Sequence, residues 1–213
     1  TSRKILEILG VDDFGILNVV GGVIAMFTFL SGSMSVATQR FLTFELGRGE
    51  GGNYKHVFSM TCIIHGLLAL IFVLLGETIG LWFVNTQLNI PADRMMAANA
   101  IYQMSIASVA VGILQTPYNA SIVSYERMHV YAYVGMGEAF AKLLIVYLLL
   151  ISPIDKLITY SLLFFCVQLT VCVIYRVYCI RNFPGCHISL EWDHGLFKSI
   201  AGFTGWNMFG TVA

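Results

Sequence analysis

Residues 57–76 read VFSMTCIIHGLLALIFVLLG, a run in which His65 is the only acidic or basic side chain. A helix needs about 20 predominantly apolar residues to cross the hydrocarbon core of a bilayer. The run has that length and that composition. It therefore predicts one membrane-spanning helix, and similar apolar runs elsewhere in the chain would predict further spans.

Comparable apolar runs recur on both sides of this stretch. They predict complete spans at residues 14–39, 95–125, 130–151 and 157–175. Shorter runs at 5–11 and 199–213 are interpreted as the tail of one helix and the start of another. We expect Pro117 to kink or end the regular helix within the run 95–125. The pattern predicts an all-α, polytopic transmembrane helix bundle, truncated at both ends and belonging to a larger protein.

The composition favours a membrane protein over the soluble classes. Of the 213 residues, 57% are hydrophobic and 11% are charged, against about 25% charged residues in an average globular domain. The 12 Lys and Arg balance the 12 Asp and Glu, so nothing in the net charge predicts a nucleic-acid partner. The five cysteines form no Cys-x-x-Cys pair. We predict neither a cofactor nor a metal site.

Basic residues are distributed unequally between the two predicted faces of the membrane. One face carries Arg40, Arg48, Lys55, Arg127, Arg176, Arg181 and Lys198. The other carries Arg3, Lys4, Arg94 and Lys156. Because cytoplasmic loops are enriched in Lys and Arg, this bias predicts that the loop at residues 40–55 is cytoplasmic.

Glu138 and Lys142 are charged residues inside a predicted span. Each charge at the centre of a bilayer costs about 2.5–3.5 kcal/mol on insertion scales. The two residues stand four apart with Glu first, the favourable order for a helical ion pair, and they share a face with Tyr131 and Gly135. Two interpretations remain open. In the first, the pair lines a water-filled groove and meets a substrate or a coupling ion there. In the second, the two charges neutralise each other and the pair packs its helix against a neighbouring helix.

A second polar stripe lies on the predicted span 95–125. Ser108, Gly112, Gln115 and Asn119 fall on one face, beside Pro117. Broken helices with exposed carbonyls bind substrates in many transporters. The alternative interpretation is ordinary hydrogen bonding between helices, which Gln and Asn provide in many bundles.

Catalysis is disfavoured by the acidic residues that are present. Asp12 and Asp13 are adjacent, as in membrane enzymes that hold Mg²⁺ at a diphosphate. No second acidic cluster accompanies them, and no His- or Arg-rich loop follows. We therefore predict that the protein is not an enzyme.

Several short motifs, taken in order, carry a family resemblance. They are GVDDFG (10–15), NVVGG (18–22), ATQRF (37–41), ELGRGE (45–50), PYNAS (117–121), ERM (126–128) and FTGWN (203–207). The set resembles the bacterial oligosaccharide (O-antigen-type) flippases. These form the polysaccharide transporter branch of the multidrug/oligosaccharidyl-lipid/polysaccharide exporter superfamily. The resemblance extends over essentially the whole chain.

The resemblance implies a MATE-like fold of a dozen or more helices, in two bundles around a central cavity. Residues 1–198 would be the N-terminal bundle: the end of helix one, helices two to six and the following cytoplasmic loop. Residues 199–213 would start helix seven, and a C-terminal bundle would complete the protein. The implied activity is translocation of a lipid-diphosphate-linked oligosaccharide across the cell inner (plasma) membrane by alternating access, for surface polysaccharide biosynthesis. The implied partners are that substrate, the bilayer and a coupling ion.

The same resemblance suggests roles for five residues. Arg40 and Lys142 would bind the anionic headgroup, and Gln115 and Asn119 would bind sugar hydroxyls. Glu138 would balance the charge of its surroundings or bind a coupling ion. Only Arg40 and Asn119 lie inside the motifs. Arg40 has a competing interpretation, as a basic anchor that caps its helix at the membrane surface.

Three other functions remain as alternatives. A cation-coupled multidrug exporter of the same superfamily would use Glu138 as its coupling carboxylate. A membrane glycan polymerase or ligase would need a long external loop, and the loop at 85–94 is too short for one. A purely structural bundle is the third.

Overall fold

The structure, a computed structural model, describes residues 34–87, 94–151, 155–189 and 191–212, with isolated positions at 14, 15, 18, 21, 22 and 32. The described residues form helices and loops, with no β-strand among them. The helices are α1 (residues 34–47), α2 (Tyr54–Thr86), α3 (Met95–Ser124), α4 (Met128–Ile151), α5 (Lys156–Asn182) and α6 (His194–Val212). The predicted helix tail at 5–11, residues Asp12 and Asp13, and most of the predicted span 14–39 lie outside the described residues.

Helices α2 to α5 each have the length and apolarity needed to cross a membrane within the described part of the chain. The protein is therefore a multi-pass membrane protein with an all-helical bundle. We call the two ends of the bundle the His56 end and the Asp155 end. The first comprises the start of α2, the end of α3, the start of α4, the end of α5 and the start of α6. The Asp155 end comprises the opposite termini of α2 to α5.

Helix α3 lies at the centre of the bundle. It packs most extensively on α5 and then on α2, and α4 packs mainly on α5 at the edge. Helix α6 contacts α2. Large side chains on α4, among them Tyr133 and Phe140, are more than half exposed in the isolated chain. Such a surface suits lipid or another apolar partner in a membrane.

Helix α2 is longer than the predicted span 57–76, because the chain stays helical through a π-helical turn at Gly76–Gly80. The phenol of Tyr102 on α3 donates to the carbonyl of Gly76 over 2.8 Å. A Cβ at Gly80 would lie 1.8 Å from the Tyr102 oxygen. Glycine at this position therefore allows α3 to approach the widened turn.

Helix α3 does not end at Pro117, contrary to one of the two outcomes expected for that residue. It continues to Ser124 with Pro117 in its interior. Nearby hydroxyls bond to the backbone around the proline: Thr116 donates to Gly112 O over 3.2 Å, and Ser121 donates to Pro117 O over 2.9 Å. Membrane helices tolerate proline when such groups satisfy the backbone.

Aspartates cap the last two helices. Asp155 accepts hydrogen bonds from the amides of Leu157 (3.0 Å) and Ile158 (3.4 Å) at the start of α5. Asp193 accepts from the amides of Gly195 (2.8 Å) and Leu196 (3.0 Å), so α6 begins at His194, earlier than the predicted start at 199. A side-chain cap satisfies amides that have no partner within the helix.

Candidate functional site

The ion pair predicted on α4 is present. Lys142 Nζ donates to Glu138 Oε1 over 2.5 Å. The side chains of Lys142 and Glu138 are 39% and 27% exposed, so the pair is only partly buried. The ammonium also lies 5.0 Å from the ring centroid of Phe164 on α5. The pair therefore sits at the boundary between α4 and α5, within reach of both helices.

A groove of about 630 Å³ runs between α4 and α5 beside this pair. Glu138 is the only charged residue among the described residues that line it. Its walls are otherwise mainly apolar, with Tyr133, Phe140, Leu144, Leu148, Leu163 and Ile174 among them. The groove suits a flexible apolar chain, with a charged pair at its margin.

Gln115 is 8% exposed and lies in the α3–α5 contact. The amide of Gln168 on α5 donates to Gln115 Oε1 over 3.5 Å, at the long limit of a hydrogen bond. Gln168 was not among the predicted site residues. Its sequence signal is weak, a single amide within the apolar run 157–175, but it lies one helical turn from Phe164.

A smaller cavity of about 270 Å³ lies between α3 and α5, next to the same aromatic side chain. Its lining includes the hydroxyls of Ser105, Ser108 and Ser161 and the rings of Tyr160 and Phe164. Ser108 and Ser161 donate to carbonyls of their own helices, over 2.8 and 2.9 Å. Their oxygens can still accept hydrogen bonds, since each hydroxyl has two acceptor lone pairs. Phe164 thus borders this cavity and also contacts Lys142.

Asn119 follows Gln115 by one turn on α3. Its side-chain Oδ1 is buried and has no hydrogen-bond partner among the described residues. Buried polar atoms are normally paired, so an orphaned oxygen is a candidate acceptor for a ligand or a water molecule.

Arg40 contacts the last helix of the described chain. It is exposed on α1, and its guanidinium is 4.4 Å from the ring centroid of Phe203 on α6. The structure therefore brings Glu138 and Lys142 together, and Lys142 contacts Phe164, which lies one helical turn from Gln168 on α5. Arg40 instead belongs to the contact between α1 and α6.

The loop between α5 and α6 covers the His56 end. His56 Nε2 lies 3.2 Å from Asp193 Oδ2, and His56 Nδ1 lies 3.7 Å from Glu191 Oε2. The backbone amide of Leu196 and the ring of His56 lower the pKa of the Asp193 carboxyl below its usual range. The described residues contain no cluster of three or more His, Cys, Asp or Glu side chains arranged to hold a metal ion.

A second acidic residue of the spans was missed by the sequence analysis. Glu77 lies in the π-helical turn of α2, and the amide of Gln103 on α3 donates to its Oε2 over 2.9 Å. The available signal was an acidic residue directly after a long apolar run, between two glycines. Such a residue is easily assigned to a loop when the helix is expected to end at Gly76.

Comparison with known proteins identifies no relative. The chain matches no described protein family, no curated protein and no solved structure. Its function is therefore inferred from the sequence motifs and from the arrangement of these side chains.

Proposed function

We propose that the chain forms the N-terminal bundle of a two-bundle flippase. This transporter would move a lipid-diphosphate-linked oligosaccharide from the cytoplasmic to the outer leaflet of the inner membrane by alternating access, for surface polysaccharide biosynthesis. The proposal is supported by the resemblance of the motifs. The observation that carries it is the partly buried Glu138–Lys142 pair, with an apolar groove on one side and a hydroxyl-lined cavity nearby.

The depth of the ion pair supports a polar path through the bundle. Glu138 and Lys142 follow the start of α4 by 10 and 14 residues, about 15 and 21 Å along the helix. With the first residue of α4 at the membrane surface, a hydrocarbon core about 30 Å thick has both charges near its middle. Charged residues at this depth usually face a bundle interior or a water-filled cavity and mark transport pathways.

The substrate poses three chemical requirements, and the described residues offer a group for each. Its diphosphate needs a cation: Lys142 uses one of its three N–H donors on Glu138, which leaves two for phosphate oxygens. Its polyprenyl tail needs an apolar surface, which the α4–α5 groove offers. Its sugars need hydrogen-bonding groups, which the serine-lined cavity and the Gln115–Gln168 pair offer. The cavity of about 270 Å³ is below the range of about 300–1,000 Å³ for drug-sized ligands, so it suits a single sugar ring.

Glu138 would act as a replaceable partner for Lys142. While the substrate is absent, the carboxylate compensates the ammonium and lowers the cost of keeping a charge in the membrane. When the diphosphate arrives, it competes with Glu138 for the same N–H donors. An exchange of this kind lets Lys142 bind an anion without standing unpaired between transport cycles.

A cation-coupled drug exporter is less well supported by this geometry. Such a transporter would use Glu138 to bind a proton or cation. In the structure that carboxylate is already bound to Lys142, which disfavours a second cation beside it. The positive-inside bias and the motif containing Arg40 are equally consistent with both transporters, so Lys142 is the residue that discriminates between them.

The proposal is tested by depleting the full-length protein and following the lipid-linked sugar. We expect the intermediate to accumulate on the cytoplasmic leaflet while surface glycan falls. Complementation with Lys142→Ala should restore membrane insertion but not export, Lys142→Arg should restore part of the export, and Lys156→Ala, an exposed lysine at the start of α5, should restore all of it. Normal surface glycan without accumulation, or full export by Lys142→Ala, would contradict the proposal.

A further inference from the structure

The serine-lined cavity between α3 and α5 has an aromatic wall on α5. The rings of Tyr160 and Phe164 both line it, one helical turn apart. Their centroids are separated by 6.1 Å and their planes meet at 34°. The face of an aromatic ring carries a partial negative charge, so it attracts the weakly positive C–H bonds of a ligand that lies against it. This wall therefore suits the C–H face of a ring-shaped molecule.

The cavity also offers hydroxyl groups of two kinds. Ser108 and Ser161 donate their protons to carbonyls of their own helices, over 2.8 and 2.9 Å, so they can only accept from a ligand. Ser105 on α3 and Tyr160 on α5 have no hydrogen-bond partner within the part of the chain that the structure describes. Each of these two hydroxyls can donate and accept. A ligand that leaves them unpaired, such as an acyl chain, loses part of what it gains by burial.

The cavity is uncharged over the part of its lining that the structure describes. None of those residues is acidic or basic, and Lys142 contacts Phe164 without lining the cavity itself. A carboxylate or phosphate inside would lose its hydration and gain no cation, which is strongly unfavourable. The cavity therefore selects a neutral ligand.

A neutral pyranose ring combines these three properties. C–H bonds give one of its faces an apolar character, and the hydroxyls at its edge both donate and accept hydrogen bonds. We propose that the serine-lined cavity binds one neutral pyranose ring, packed against Tyr160 and Phe164 and hydrogen-bonded to the two unpaired hydroxyls. The ring needs neither a lipid nor a diphosphate for this binding. Its identification as part of the translocated oligosaccharide rests on the proposed function, whereas the binding itself does not.

Saturation-transfer difference NMR with the full-length protein in lipid nanodiscs tests the proposal. The neutral probes are the methyl glycosides of glucose, galactose and mannose, and the charged probe is methyl glucuronide. We expect saturation transfer to at least one neutral glycoside, strongest at the C–H protons of one ring face. Transfer to the glucuronide should not exceed that seen with empty nanodiscs.

Variants of the cavity assign the binding to this place. Tyr160→Ala removes one of the two rings and should abolish the transfer. Tyr160→Phe and Ser105→Ala each remove one hydroxyl, so each should weaken the affinity by about two- to tenfold, the effect of one hydrogen bond. The matched controls are Tyr133→Ala, in the α4–α5 groove, and Ser199→Ala, whose hydroxyl donates within α6. Both controls should bind as the parent does, and circular dichroism shows which variants are folded.

Three results would overturn this site: no transfer from the folded parent to any neutral glycoside, equal transfer to the glucuronide, or parental affinity in Tyr160→Ala. Where Tyr160→Ala does not fold, parental affinity in both Ser105→Ala and Tyr160→Phe has the same meaning. The readout needs no transport. A protein that binds the glycoside without translocating the lipid-linked sugar contradicts only the flippase, and one that translocates without this binding contradicts only the cavity site.

Discussion

The ammonium nitrogen of Lys142 on α4 lies 5.0 Å from the ring centroid of Phe164 on α5. A cation over an aromatic face gains about 0.5–1 kcal/mol at exposed sites and about 2 kcal/mol or more when desolvated. The contact orients Lys142 toward α5, where Phe164 also borders the serine-lined cavity. One aromatic side chain thus connects the proposed headgroup site to the proposed sugar site.

Replacing this ring should weaken the position of the cation without removing its charge. In Phe164→Leu we expect export to fall by about two- to tenfold, the equivalent of a lost cation–π contact, with unchanged insertion. The matched control is Phe44→Leu, which removes the ring 5.9 Å from Arg48 at the end of α1. Equal export by both variants, measured as surface glycan in depleted cells, would show that the Phe164 ring has no such role.

The glycine at the π-helical turn should be intolerant of a side chain. In Gly80→Ala the new Cβ would displace the Tyr102 phenol from Gly76, and we expect a loss of about 1–3 kcal/mol in the free energy of unfolding. Gly66→Ala lies in the same helix with no atom within 4 Å of its Cβ, and it should gain up to about 1 kcal/mol. Denaturation in mixed micelles measures both, and a Gly80→Ala variant as stable as the parent would contradict the close approach of α2 and α3.

The amide pair between α3 and α5 should contribute to stability as well as to the proposed site. In Gln168→Leu, Gln115 loses its partner, and we expect a loss of about 0.6–2 kcal/mol, the range found for hydrogen bonds between membrane helices. Asn182→Ala is the control, because among the described residues that amide donates within its own helix, to Tyr178 O. The same denaturation assay applies, and Gln168→Leu should be the more destabilised of the two.

Acid should loosen the start of α6. The native pKa of Asp193 is lowered, so its stabilisation is present above the unfolded-state value of about 3.9 and is lost as the pH falls through the lower native value. Hydrogen exchange at the amides of Gly195 and Leu196, corrected for intrinsic rates, should lose protection over that acidic range. Asp193→Asn keeps a capping oxygen and should show a weaker pH dependence, whereas Asp193→Ala should lack the protection at every pH. Protection in Asp193→Ala equal to that of the parent would contradict the cap.

The sequence predicts closely where two of the spans begin, but α5 continues to Asn182, beyond its predicted end at residue 175. Helix α3 begins at Met95, as predicted, and the start of α5 at Lys156 differs from the prediction by one residue. The prediction for α2 is too short because Glu77 between two glycines reads as the end of a helix, whereas the chain continues through a π-helical turn. The contact that stabilises that turn comes from Tyr102 on another helix, which local sequence does not reveal.

The candidate site is predictable only where its partners are close in sequence. The Glu138–Lys142 pair follows from helical spacing alone, since both residues lie on one face. Gln168 is 53 positions from Gln115, and nothing local to either residue indicates that they meet. The same holds for Arg40, whose aromatic partner Phe203 lies on the last helix.

The most direct test of the flippase proposal is translocation by the purified full-length protein in liposomes. A lipid-diphosphate-linked oligosaccharide is placed in one leaflet, and its accessibility to a sugar-modifying enzyme is followed on the opposite side. We expect accessibility to rise faster than in protein-free liposomes, and this acceleration should be largely lost in Lys142→Ala and partly retained in Lys142→Arg. A rate equal to that of protein-free liposomes, from folded full-length protein, would contradict the proposed function.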